Sequence, residues 1–255
     1  MQLDGRVVMI TGGCSGLGAA AAQMALAAGA RVSLLDLQAP RSPLAASTDA
    51  WAHHPTDVSD EGQVQAAIDA TMRQFGRLDV VINAAGVAPA EKLWGKSGPH
   101  RQSSFERCLA VNLVGSFNLM RLAVPAMLAS PDWAAPDGSR GLIVNTASIA
   151  AFDGQIGQVA YAAAKGGLVA LTLPAARELA AHRIRVLTVA PGVFEPPMLT
   201  AMPEAVQQAL GQSVPHPARL GKPDEYAALV RSLIDNDYLN GEVIRLDGSL
   251  RMGAR

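Results

Sequence analysis

Arg6-Val7-Val8-Met9-Ile10-Thr11-Gly12-Gly13-Cys14-Ser15-Gly16-Leu17-Gly18 carries an apolar run straight into a glycine-rich turn, and an alanine-rich helical stretch follows at once. The run VVMI does not alternate with polar residues, which suits a strand buried on both faces. Glycines allow a tight turn and let the backbone approach a pyrophosphate, while a helix N-terminus offers free N–H groups and a positive dipole end. A glycine-rich string alone is as often a plain turn; its place between strand and helix makes it a phosphate signal. The same alternation continues outward. Strands are expected at Arg6–Thr11, Arg31–Leu35, Trp51–Pro55, Leu78–Asn83, Gly141–Thr146, Arg183–Val189 and Gly241–Arg245. Helices are expected at Leu17–Ala28, Glu61–Phe75, Ser104–Leu128, Val159–Ala180 and Pro223–Ile234. Strand followed by helix, repeated, means right-handed crossovers and a parallel sheet covered on both faces. The expectation is one α/β, doubly wound domain over residues 1–255, with seven parallel strands and a ligand crevice at their C-terminal ends.

Composition narrows the function classes. Nearly half the chain is apolar, 17% is charged and the formal net charge is −1. No overall field favours a polyanion, so nucleic acid is not an expected partner. Cys14 and Cys108 have no CxxC spacing, and His53, His54, His182 and His216 no metal-like spacing, so neither a disulfide framework nor a metal site is expected. No uninterrupted apolar stretch reaches about 20 residues, so no membrane span is expected. The glycine motif begins at Thr11, which leaves no room for a targeting peptide in the chain as given, and a cytoplasmic location is the default expectation.

The turn glycines Gly12, Gly16 and Gly18 are spaced G-x-x-x-G-x-G, the variant that short-chain dehydrogenases carry, and the chain resembles that family. Its fold is a Rossmann domain and its cofactor a nicotinamide dinucleotide. Asp36 ends the second strand, where a carboxylate can accept both adenosine ribose hydroxyls and repel a 2′-phosphate. Neither position 14 nor 37 is basic, so NAD is expected over NADP. Asp57-Val58 resembles the pair that holds the adenine. Asn83-Ala84-Ala85-Gly86 resembles the N-A/C-A-G motif that supports the sheet and lines the cofactor, and Pro191-Gly192, followed by Phe194, the turn beside the nicotinamide. The family's usual Thr slightly further on is missing from Val193-Phe194-Glu195-Pro196-Pro197.

Tyr161 and Lys165 are four apart on a predicted helix and share a face. Ser148 stands thirteen residues earlier, just past the apolar strand LIVNTAS, and Asn112 lies in the helical stretch before it. The four match the family's Asn–Ser–Tyr–Lys set. A phenol ordinarily has a pKa of about 10 and is a poor base; an ammonium and a positive nicotinamide ring are expected to lower it. Tyr161 is then the acid/base, Ser148 holds the substrate oxygen, Lys165 also bonds the nicotinamide ribose, and Asn112 steadies a water that carries the proton outward.

Within the family, NTASIAAFDGQIGQVAYAAAKGG, LTVAPGVF and LNGEVIRLDGSLRMGA resemble the type II 3-hydroxyacyl-CoA dehydrogenases, also described as multifunctional 17β-hydroxysteroid dehydrogenases. The resemblance implies oxidation of a 3-hydroxyacyl-CoA with NAD, a homotetramer, cofactor contacts at Ser15, Leu17, Asp36, Asp57, Val58, Ala84, Tyr161, Lys165 and Phe194, and a substrate contact at Ser148. A hydroxysteroid or another secondary alcohol stays open as substrate, and a scaffold or RNA-processing role is a distant alternative. The stretch Ala88–Ser104 reads as a long loop holding Lys92, Lys96, His100 and Arg101. It is either a solvated loop or a basic rim for the phosphates of coenzyme A.

Overall fold

The computed structural model describes residues 1–40, 44, 47–132, 138–195 and 204–254. In chain order the elements are β1 (Val7–Thr11), α1 (Gly16–Ala27), β2 (Arg31–Asp36), β3 (Trp51–Pro55), α2 (Glu61–Phe75), β4 (Val80–Asn83), β5 (Trp94–Gly95), β6 (Gly98–Pro99) and α3 (Gln102–Leu109). A π-helical turn at Ala110–Val114 leads into α4 (Gly115–Ala129). There follow β7 (Gly141–Thr146), α5 (Ala150–Asp153), α6 (Val159–Leu179), β8 (Ile184–Pro191), α7 (Glu204–Gln212), α8 (Pro223–Asp235) and β9 (Val243–Leu246).

Seven strands form one parallel sheet in the order β3-β2-β1-β4-β7-β8-β9. The expected seven-stranded doubly wound sheet is what the chain builds. Period-two geometry sends Val8 and Ile10 to the face covered by α1 and α8, and Val7 and Met9 to the face covered by α2, α4 and α6. Both faces are buried, which explains why these strands read as continuous apolar runs. The order reverses between β1 and β4, so the crevice lies above their C-terminal ends.

Three expectations change in detail. The helix expected over Ser104–Leu128 is two helices separated by the π-helical turn, because an extra residue is inserted there. The loop Ala88–Ser104 holds a small antiparallel hairpin, β5–β6. The stretches Gln102–Ala129 and Val159–His182 do have the length and apolar composition of a membrane crossing. Here each lays one face on the sheet, with Leu119, Ala123 and Ala176 in the core between.

Candidate active site

The turn after β1 is shaped by its glycines. Gly12 has φ +63°, and a Cβ there would fall 2.8 Å from the Ala85 nitrogen, so the chain leaving β4 packs directly on the turn. A Cβ on Gly18 would overlap the Gly12 carbonyl oxygen. Gly16 opens α1 at φ +51°. Ser15, at the N-cap, makes no side-chain cap, which leaves the first-turn N–H groups available for an anion. Beside the turn runs a cleft of about 350 Å³, lined among others by Ser15, Leu17, Asp36, Asp57, Val58 and Ala84.

Asp36 ends β2 with its carboxylate braced: Oδ2 accepts from the Cys14 N–H at 3.2 Å and Oδ1 from the Gln38 N–H at 3.2 Å. Asp57 accepts from the Ser59 hydroxyl at 2.6 Å and the Ser59 N–H at 2.9 Å, which hold its carboxyl below the usual carboxylate range. Val58 is buried against Gly115, where any Cβ would collide with its side chain. Burial, with the Asp36 charge beside it, pushes the Cys14 thiol up to about 12, so it stays protonated. The Thr11 hydroxyl accepts from the Ala84 and Ala85 N–H groups at 3.1 and 3.2 Å, tying the two strand ends together.

Asn83 sits behind the cleft rather than in its lining. Its amide donates to Asn145 Oδ1 at 2.9 Å, joining register partners on β4 and β7. Asn83 therefore supports the wall and leaves cofactor contact to its neighbours Ala84 and Gly86, which do line the groove.

A second cleft of about 210 Å³ contains Ser148, Tyr161, Lys165, Pro191, Gly192 and Phe194. It shares Leu17, Ala84, Gly86 and Val87 with the first, so the two form one groove. Ser148 follows β7 by two residues; its hydroxyl accepts from the Ala150 N–H at 3.1 Å and hydrogen-bonds Tyr161. Lys165 is buried one helical turn beyond Tyr161, with Nζ 5.7 Å from the phenol ring centroid and donating to the Thr146 carbonyl at 2.6 Å. The hydroxyl of Thr146 meets the buried Tyr226 hydroxyl at 2.7 Å, so this strand end is held from both sides. Phe194 is fixed by Gly221, whose missing Cβ would sit 2.8 Å from the ring. Pro196 and Pro197 lie outside the described residues.

The electrostatics differ from expectation at Tyr161. Burial pushes the phenol above its ordinary value, and the Ser148 hydrogen bond only partly opposes this. Burial likewise pulls the Lys165 ammonium down to about 8. Desolvation is the largest influence on each group. Asn112 lies behind the groove. Its Nδ2 donates to the Val87 and Cys108 carbonyls at 2.8 and 2.9 Å, and its Oδ1 accepts from the Val87 N–H at 3.2 Å. The side chain ties the loop after β4 to its own helix and lines neither cleft. Its carbonyl receives the Ser116 hydroxyl at 3.0 Å.

One lining residue was not singled out from the sequence: Arg107 of α3, at the Asp57–Val58 end of the groove. An exposed arginine on a polar helix face reads as solvated, and only the topology brings that face over the adenine end. Of the four basic residues expected on the 88–104 rim, Arg101 is already paired with Glu91. Among the described residues, no group of three or more His, Cys, Asp or Glu could hold a metal.

The groove thus joins a phosphate-cradling turn to a Ser–Tyr–Lys set, the combination that defines an alcohol dehydrogenase built on a doubly wound sheet. A family model described as short chain dehydrogenase matches residues 6–207, and the chain belongs to that family of nicotinamide-dependent oxidoreductases acting on CH–OH groups. It is 49% identical to the 3-hydroxyacyl-CoA dehydrogenase type-2 of Bos taurus over 256 residues, 98% of this chain and 97% of that one. The Homo sapiens protein of the same name is 49% identical over 258 residues, with 98% and 97% covered. The crystal structure of 3-hydroxyacyl-CoA dehydrogenase type-2 from Mycobacterium avium superposes with a TM-score of 0.91 at 37% identity, covering 98% of each chain.

Proposed function

We propose that the chain oxidises a 3-hydroxyacyl-CoA to the 3-ketoacyl-CoA with NAD, and catalyses the reverse reduction. The observation that carries this reading is the single groove running from the Gly12–Gly18 turn to Ser148, Tyr161 and Lys165. The substrate class comes from the relatives of that name, which match over nearly their whole length. The choice of NAD rests on Asp36, whose braced carboxylate suits two ribose hydroxyls and repels a phosphate.

The groove fits a dinucleotide on its own terms. A Cβ at Gly12 or Gly18 would strike backbone, so the glycines keep the turn tight, and the uncapped start of α1 offers N–H groups to the pyrophosphate. Ser15, Gly16 and Leu17 would hold that end, Asp36 the adenosine ribose, Asp57 and Val58 the adenine, and Pro191, Gly192 and Phe194 the nicotinamide end. When bound, the nicotinamide accepts the hydride in oxidation and returns it in reduction. Ser148 holds the substrate oxygen by hydrogen bond. Tyr161 takes the hydroxyl proton onto its phenolate oxygen as the C–H bond breaks, or donates it in reduction. Lys165, released from Thr146, bonds the ribose and its charge favours the phenolate. Asn112 acts one step back, fixing Val87 in the groove wall.

A steady-state screen of acyl-CoA chain lengths, hydroxysteroids and simple secondary alcohols, each with NAD and NADP, tests the proposal. The highest kcat/KM is expected with an acyl-CoA and NAD, and a preference for a steroid would overturn the substrate. Asp36→Ala is expected to narrow the NAD/NADP preference by weakening NAD and admitting the 2′-phosphate. A wild type that already favours NADP would overturn the cofactor reading.

A further inference from the structure

The β5–β6 hairpin has two residues in each strand, and an isolated two-stranded hairpin is at best marginal in water. Packing does not hold it either, since Leu93 is 68% and Trp94 75% exposed. Besides the His100 N–H bond to the Leu93 carbonyl at 3.0 Å, a polar clasp closes its base. Arg101 Nε lies 3.2 and 3.3 Å from the two Glu91 carboxylate oxygens, and Nη2 lies 3.1 Å from Oε2. The Arg101 N–H also donates to Oε1 at 2.7 Å. These bonds hold the Glu91 carboxyl down to about 2, so the clasp stays charged at any working pH.

The clasp sits at the substrate end of the groove. Val87 and Ala88, just before Glu91, line the cleft with Ser148 and Tyr161. The Glu91 N–H donates to the Gly157 carbonyl at 2.9 Å, in the segment that joins Ser148 to Tyr161. Arg101 is the residue at the start of α3, the helix that leads to Asn112. The hairpin is thus pinned at one end to the segment between Ser148 and Tyr161 and at the other to the helix that leads to Asn112.

We propose that Glu91 and Arg101 are positioning residues whose clasp fixes the β5–β6 hairpin as the outer wall of the substrate mouth, where it shapes the fit of the part of a long substrate beyond the reacting carbon. The proposal rests on the reading of Ser148 and Tyr161 as the substrate end. It differs from a basic rim in one respect: Arg101 acts through Glu91, not on the substrate's phosphates.

The test uses the full-length protein with NAD or NADH, comparing wild type, Glu91→Gln, Arg101→Gln and the double variant. An exposed ion pair contributes little to global stability, so all four are expected to fold. Amide hydrogen exchange over residues 91–101 should quicken in each variant. KM for acetoacetyl-CoA should rise roughly three- to fivefold in each single variant, the scale of an exposed ion pair. The double variant should be no worse than the more affected single one, and kcat should change less than twofold. KM for the N-acetylcysteamine thioester of acetoacetate, which lacks the nucleotide end, should stay flat.

Unchanged exchange in the variants would overturn the clasp. A KM that rises in Arg101→Gln but stays level or falls in Glu91→Gln would overturn the positioning role, because freeing Arg101 would then aid a direct contact. Equal effects on both thioesters would do the same, placing the action at the reacting centre. Should the wild type reject acyl-CoA, the proposed substrate fails separately. The exchange data, with KM for the longest and shortest alcohols it accepts, then decide the clasp.

Discussion

At Tyr161 and Lys165 burial sets the direction in which each group is shifted. The phenol is raised by desolvation and the ammonium lowered to about 8, so each ionises less readily than it would in water. Tyr161→Phe removes the transferable proton and little else. Turnover is expected to fall about 100- to 10,000-fold while NADH binding, followed by fluorescence titration, is retained. More than about a tenth of wild-type activity would sink the acid/base assignment. Lys165 makes a prediction for stability as well. Its folded pKa of about 8 lies below the ordinary 10.5, so between those values the unfolded chain binds more protons than the folded one. Stability from this group therefore rises with pH across that window. Urea unfolding of wild type and Lys165→Met should show their difference moving in favour of wild type, by about 3 kcal/mol, between pH 8 and 10.5. A difference that stays constant would mean Lys165 is not desolvated as described.

At the scale of elements the π-helical turn explains what sequence could and could not disclose. The apolar periodicity of Ser104–Leu128 reads as one helix, and nothing in residue type marks the extra residue at Ala110–Val114. Its effect is to aim Asn112 at Val87, with its Oδ1 and Lys165 Nζ on the same side of Gly86. Asn112 was thus legible as part of a motif, while its task of holding backbone was not. The strands bordering the groove were legible because burial on both faces leaves an unmistakable apolar run. The β5–β6 hairpin was not, since two-residue strands have no period to read, and Arg107 was hidden for want of topology. Gly86 offers a test of the turn. A Cβ there would come 2.6 Å from Asn112 Oδ1 and 3.6 Å from Lys165 Nζ. Gly86→Ala should displace the amide, cost roughly 1–3 kcal/mol of stability, and weaken NADH binding. Wild-type values for both would show that the turn yields without consequence.

The molecule as a whole keeps an apolar face in water. Val114 and Phe117 beside the π-helical turn, and Val159 and Leu173 on α6, are each more than two-fifths exposed. Gly166 on α6 has open space where a Cβ would stand, so another helix can approach closely. A face of this kind suits association of identical subunits with closed symmetry, the homotetramer expected from the family resemblance. Sedimentation is expected to give an oligomer at micromolar concentration, and Phe117→Glu to shift it toward smaller species. A monomeric wild type would remove the basis for this.

The strand order also sets a timetable during synthesis. The cofactor turn and the first three strands leave the ribosome early, and β4 can join them by pairing with β1. The other edge of β4, Val80-Val81-Ile82-Asn83, must wait for β7, roughly 60 residues later, which takes roughly 3–12 seconds at ordinary elongation rates. For that interval a nascent chain presents a bare hydrophobic edge at the very place where the finished enzyme builds its groove. A pause in synthesis after β4 has left the ribosome and before β7 has done so would lengthen that exposure, and a pause once both are out would not.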